Sequence, residues 1–327
     1  MSAIGLSRVI AASRRGFEMS RLKLGIAPVL ALGVIVAAAQ SEQSPSKGGR
    51  EQPIGETKMG VKQTRTVETE LEIHAPVDAV WKALTDANEL TRWFPLHAKV
   101  KPGKGGSMWV SWGQPFEGES TIEIWEPGQR LRTGWPFTAD PDGDARPLVV
   151  DYFLEGRGGK TSLRLVHSGF GVGAKWDGEY DGVTRGWAFE LRGLRHYLEH
   201  HAGKDRRAIW VSKPASLSPA EAIARVIGPE GRVIRGSIEG LKEGDAYRLE
   251  LVGMNQHIEG VVDINMRPRS FAATVKNLNN AYFRCDMENC GGSEMVWVWF
   301  STYGLDAATA DKLQATVEAN VAKALAE

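Results

Sequence analysis

Ala75 to Leu84 reads A-P-V-D-A-V-W-K-A-L, and Ser218 to Ile227 reads S-P-A-E-A-I-A-R-V-I. Proline, acid, alanine, aliphatic, base and aliphatic recur in order at an offset of 218 − 75 = 143. A second ungapped match joins G-G-K-T-S-L-R-L-V-H-S-G-F-G at Gly158 to Gly171 with G-G-S-E-M-V-W-V-W-F-S-T-Y-G at Gly291 to Gly304, at an offset of 291 − 158 = 133. Two such matches in one order mean duplication of a whole domain, the second copy being about ten residues shorter between the blocks. The period is too long for a solenoid, and 327 residues suit two domains.

Around these blocks the patterning alternates between periods. Arg65 to His74 alternates as a strand, and Val77, Val80, Trp81 and Leu84 fall at helical spacing behind Pro76. Asp86 with Glu89 predicts a capping box for a second short helix that stops at Trp93-Phe94-Pro95. Strand runs follow at Ser107–Trp112, Gly118–Trp125, Arg130–Trp135, Leu148–Glu155 and Thr161–Ser168, and their short connections predict an antiparallel sheet. After an extended loop at Val172–Glu179, Tyr180, Val183, Trp187, Leu191, Leu194, Leu198 and His201 step by three and four along one long helix. Such a stripe must lie on a sheet face. Copy two repeats the plan, with a first strand at Ile209–Val211, a helix at Pro219–Ile227, six further strand runs between Arg232 and Ser301, and a closing helix at Asp306–Ala326.

This order resembles the helix-grip fold of the START-like (SRPBCC) superfamily. E-L-E-I-H-A-P-V-D-A-V-W-K-A-L-T-D at Glu70 to Asp86, L-T-R-W-F-P at Leu90 to Pro95 and L-R-L-V-H-S-G-F-G at Leu163 to Gly171 are similar to bacterial homologues of the heat-shock-protein ATPase activator C-terminal domain. The resemblance implies an α+β protein of two tandem helix-grip domains. Each is a curved antiparallel sheet wrapped on a long C-terminal helix, with two short helices after its first strand. Residues 63–203 form the first domain and 204–327 a shorter, degenerate second.

The superfamily implies an apolar cavity between sheet and helix, with Trp93, Phe94, Trp112, Trp125, Trp135, Phe153, Phe170 and Trp187 as candidate walls in copy one. His167 shares a strand face with Leu163 and Leu165 and points inward, as a ligand-binding partner, an acid or base, or a turn-ordering residue. Its equivalent in copy two is Phe300, so no catalytic role there is shared by both copies. The reading that follows is binding of a small hydrophobic molecule or lipid in the first domain, without catalysis and without a cofactor. A co-chaperone or protein-interaction module, and a cyclase- or hydrolase-like enzyme using His167, are the alternatives.

Other features narrow the field. Lys and Arg together number 40, as do Asp and Glu, so no net field recruits nucleic acid. His196, His200 and His201 suit a helix C-terminus better than a metal. Cys285 and Cys290 lie across an expected hairpin turn at Asp286–Ser293, where an exported protein could form a disulfide. Residues 1–39 carry S-R-R-G-F at Ser13 to Phe17 and an apolar run of sixteen residues, Leu24 to Ala39, ending in an A-x-A site. This pattern is that of a twin-arginine export signal to the periplasm. An uncleaved membrane anchor, or translation from Met59 and a cytoplasmic protein, are the other two readings. Residues 40–62, rich in Ser, Gly, Gln and charge, read as a disordered linker.

Overall fold

The computed structural model of the chain describes residues 63–114, 116–138, 146–290 and 293–326. The export or anchor segment and the linker fall outside the described residues. No helix among the described residues is long and apolar enough to cross a membrane.

The first domain runs β1 (Thr64–Ile73), α1 (Val77–Thr85), α2 (Ala87–Thr91), β2 (His97–Lys101), β3 (Ser107–Ser111), β4 (Glu117–Glu126), β5 (Arg130–Thr138), β6 (Arg146–Arg157), β7 (Lys160–Gly171) and α3 (Ala174–His200). Its seven strands form one antiparallel sheet in the order β1-β7-β6-β5-β4-β3-β2. Alternation sets which face of the sheet carries the core: Thr161, Leu163, Leu165 and His167 of β7 are buried, while the residues between them are partly exposed. Gly158 and Gly159 take φ of 60° and 79°, the conformation that a two-residue hairpin between β6 and β7 demands.

The second domain runs β8 (Arg206–Pro214), α4 (Pro219–Val226), β9 (Ile227–Gly228), β10 (Ile234–Arg235), β11 (Ala246–Leu251), β12 (Gln256–Met266), β13 (Ser270–Val275), β14 (Ala281–Cys290), β15 (Ser293–Tyr303) and α5 (Ala307–Ala326). Its eight strands are ordered β8-β15-β14-β13-β12-β11-β10-β9. A full capping box, Ser218 with Glu221, starts α4. The apolar stripe of α5, Ala310, Leu313, Val317 and Val321, is fully buried against this sheet.

Several local expectations are corrected. Residues 174–179 are the first turns of α3 rather than loop, because Trp176 is buried against Phe170 and packs on Gly171. At Asp86 only half of a capping box forms. Its carboxylate accepts from the Asn88 and Glu89 amides, whereas the Glu89 side chain turns inward to accept from Tyr197 Oη at 2.5 Å. Strand β14 continues to Cys290, so Cys285 and Cys290 lie five residues apart on one strand. At ~3.3 Å per residue their Cα atoms are about 16 Å apart, beyond the ~7 Å reach of a disulfide. Cys285 is a free, buried thiol.

The two domains pack tightly. Helix α3 lies between two sheets: Trp187, Leu191 and Leu194 face its own sheet, while Phe189 packs on Ile264, Ala272 and Tyr282 of the second domain. Trp299 and Tyr303 of β15 join the apolar cluster of domain 1, and Phe116 meets the edge of Trp297 at 5.2 Å. Tryptophans of the second copy thus form the domain interface.

Candidate functional site

The strongest candidate for a site is the concave face of the first sheet where it meets α2 and α3. A cavity of about 30 Å³ remains there. Its apolar wall is Leu84, Leu90, Trp93, Phe94, Met108 and Val110, and its polar edge is Ser120, Thr133, Trp135 and Tyr152. Such a volume holds one or two water-sized groups, whereas a pocket for a drug-sized molecule measures ~300–1,000 Å³. The aromatic residues account for the difference. Phe94 stacks on Trp93 at 5.0 Å, meets Trp112 edge-on at 5.1 Å and lies 6.4 Å from Trp187. Trp93 is fixed by its indole N–H, which donates to the Ala83 carbonyl at 2.9 Å.

His167 sits on the same face, 3% exposed, between Val67 of β1 and Val150 of β6. Trp187 Nε1–H donates to His167 Nδ1 at 3.0 Å. An indole nitrogen only donates, so Nδ1 carries a lone pair and the ring proton resides on Nε2. Burial pushes the histidine pKa down to about 3, so the ring is neutral at physiological pH. His167 Nε2 and Trp135 Nε1 are both buried without a hydrogen-bond partner among the described residues. Their rings are 6.2 Å apart.

Of the residues singled out by sequence, Trp93, Phe94, Trp112, Trp135, His167, Phe170 and Trp187 come together on the inner face. Phe153 does not. Leu148, Val150, Tyr152 and Leu154 hold the inward phase of β6, so Phe153 is turned out, where Arg130 and Arg164 lie over its ring at 4.9 and 4.3 Å. Trp125 follows a bulge in β4 and ends beneath α1, edge-on to Trp81 at 5.2 Å and away from the cavity. Sequence reasoning overlooked Tyr152, Thr133 and Ser120. The run of alternate apolar residues in β6 carried the signal for Tyr152.

The wall made by Trp93 and Phe94 is shared. On its far side is a second cavity of about 10 Å³, lined also by Phe189, Glu190, Arg206 and Arg284 at the domain interface. Arg206 of β8 donates to the Trp93 carbonyl at 2.9 Å, to the Phe94 carbonyl at 3.2 Å and to the Pro95 carbonyl at 2.5 Å. Burial lowers its pKa only to about 10, so it remains a cation. The second domain therefore holds the wall of the first domain's cavity in place.

Next to it is a buried ionic ladder. Arg284 of β14 donates to Glu190 of α3 at 2.7 Å, and Arg185 of α3 clasps Glu288 of β14 through two nitrogens at 2.6 and 2.9 Å. His196 and His201 both meet the Asn280 carbonyl through Nε2, at 2.7 and 2.8 Å, tying the end of α3 to the β13–β14 turn. No group of three or more metal-ligating side chains occurs among the described residues.

The family model described as Activator of Hsp90 ATPase homolog 1-like protein matches residues 74–199. The first domain is similar to that family over these residues, which are less than half of the chain. This activator-like domain is similar to protein MLL2253 from Mesorhizobium loti, with 26% identity over 42% of this chain and 98% of that one, at a TM-score of 0.37. The Aha1 dimer from Colwellia psychrerythraea shares 16% identity over 42% of this chain and 99% of that one, at a TM-score of 0.36. The di-domain ARO/CYC BexL from the BE-7585A biosynthetic pathway covers 80% of this chain and 96% of its own length, with 15% identity and a TM-score of 0.38. No curated protein matches the chain.

Proposed function

We propose that the activator-like domain binds a small hydrophobic molecule between its sheet and α3, without catalysing its conversion. The observation that carries this reading is the apolar cavity bounded by Trp93, Phe94 and Val110, beside which buried N–H donors lack partners among the described residues. As it stands the cavity admits only a few atoms, so a larger ligand enters by displacing Trp93 and Phe94 toward the domain interface.

The two alternatives have less support. A general-base role for His167 conflicts with its tautomer, since the ring nitrogen free of Trp187 bears the proton and the ring resists protonation. For a co-chaperone role, the face of α3 that an isolated domain would leave bare is occupied by the second domain. We propose limits of 63–203 and 204–327 for the two domains. Export on the Ser13–Ala39 segment remains our proposal for localisation, tested by sequencing the mature N-terminus.

Binding is tested by titrating the full chain with benzene, ethylbenzene and butylbenzene while following tryptophan fluorescence. Saturable binding that is lost in Val110→Phe, which fills the cavity, supports the reading. Equal responses from the native chain and this variant would overturn it.

A further inference from the structure

Native proteins pair nearly all of their buried donors, and each exception calls for a reason. Two exceptions lie side by side here. His167 Nε2–H and Trp135 Nε1–H are unpaired among the described residues, on side chains 3% and 6% exposed, with rings 6.2 Å apart. Trp135 lines the cavity, and His167 is held in the donor tautomer by Trp187. At this spacing of ring centroids one oxygen can lie between the two rings and accept from both N–H groups, at the usual N···O distance of ~2.9 Å.

We infer that the ligand of this cavity is a neutral apolar carbonyl compound whose oxygen accepts from His167 Nε2–H and Trp135 Nε1–H. The inference rests on the ligand-binding reading of the cavity. A carbonyl suits the site because its two lone pairs match two donors. A carboxylate does not, because no charged side chain lines the cavity among the described residues and an ion moved there would lose its hydration without a counter-charge. A pure hydrocarbon would leave both donors unpaired. The second copy has Phe300, fully buried, at the position equivalent to His167, so this recognition belongs to the first domain alone.

The test compares acetophenone with ethylbenzene, which differ by a carbonyl in place of a methylene, on the full chain. The expected result is binding of acetophenone roughly tenfold tighter, the value of one good hydrogen bond to an otherwise unpaired donor. Trp135→Phe should erase most of that preference, and Trp135→Phe with His167→Phe should abolish it, the ratio of the two affinities being read within each variant. Phe300 shows that this fold position accepts phenylalanine. A readout independent of variant folding is the Trp135 indole ¹H–¹⁵N signal of the native chain, which should move downfield with acetophenone and not with ethylbenzene. Equal affinity for both probes, with an unmoved indole signal, would overturn the carbonyl inference and leave the cavity reading standing. Failure of both probes to bind would overturn the cavity reading and this inference with it.

Discussion

Arg185→Met removes one of the two cations of the ladder that joins the two domains. In the native chain Arg185 donates to both Glu288 oxygens at 2.6 and 2.9 Å, to Asp181 Oδ2 at 3.0 Å and to Ser270 Oγ at 3.2 Å. Both members of the Arg185–Glu288 pair are more than nine-tenths buried. Taking one partner from such a pair strands the other charge, which costs about 3–5 kcal/mol. Protonation limits that loss. Burial, reinforced by the charge of Asp286 and opposed by Arg185, raises the Glu288 carboxyl from 4.5 to about 7; burial likewise raises Asp286 from 3.8 to about 6.

The sign follows from linkage. Raised carboxyl pKa values mean that the docked state binds more protons than the separated domains. Native docking therefore strengthens as pH falls through about 7, and the gain is complete near pH 4. The Arg185→Met penalty should be about 3–5 kcal/mol at pH 8 and should shrink markedly at pH 5.5, where a proton replaces the lost guanidinium. Urea denaturation followed by tryptophan fluorescence at the two pH values measures it, with uncoupled domains unfolding in separate steps. A penalty below about 1 kcal/mol at pH 8, or one equal at both pH values, would refute the reasoning.

Trp93→Ala should cost about 3–5 kcal/mol in urea denaturation while raising affinity for butylbenzene, since it enlarges the cavity whose wall it forms. His167 should remain neutral from pH 8 to pH 5 in histidine NMR titration, and a midpoint above 6 would contradict its buried, Trp187-bonded setting. Without reductant, denatured chain should react with a thiol reagent at both Cys285 and Cys290; a chain with no reactive thiol would contradict the single-strand placement of the pair.

Much of the fold was legible because its signals are local. Pro76, the alternation of β7 and the three-four stripe of α3 each express one period, and together with the internal repeat they define the two-domain α+β plan. The inner aromatic cluster was legible for the same reason. Phe153 and Trp125 were misplaced because the phase of a strand decides which neighbour turns inward, and the bulge in β4 is not written in its composition. The domain interface was illegible for another reason. Arg185, Glu190, Arg284 and Glu288 read as solvated charges, and only partners some hundred residues away in sequence make them buried. The cavity's small volume also depends on how Phe94, Trp112 and Trp187 interlock, which periodicity does not determine.

Mass spectrometry of the solvent extract from natively purified chain tests most directly the claim that the first domain carries a ligand. The account predicts an apolar carbonyl compound, approaching one per chain and absent from Val110→Phe purified in parallel. The same compounds in equal amounts from both proteins, or none from the native chain together with no binding of acetophenone, would contradict it.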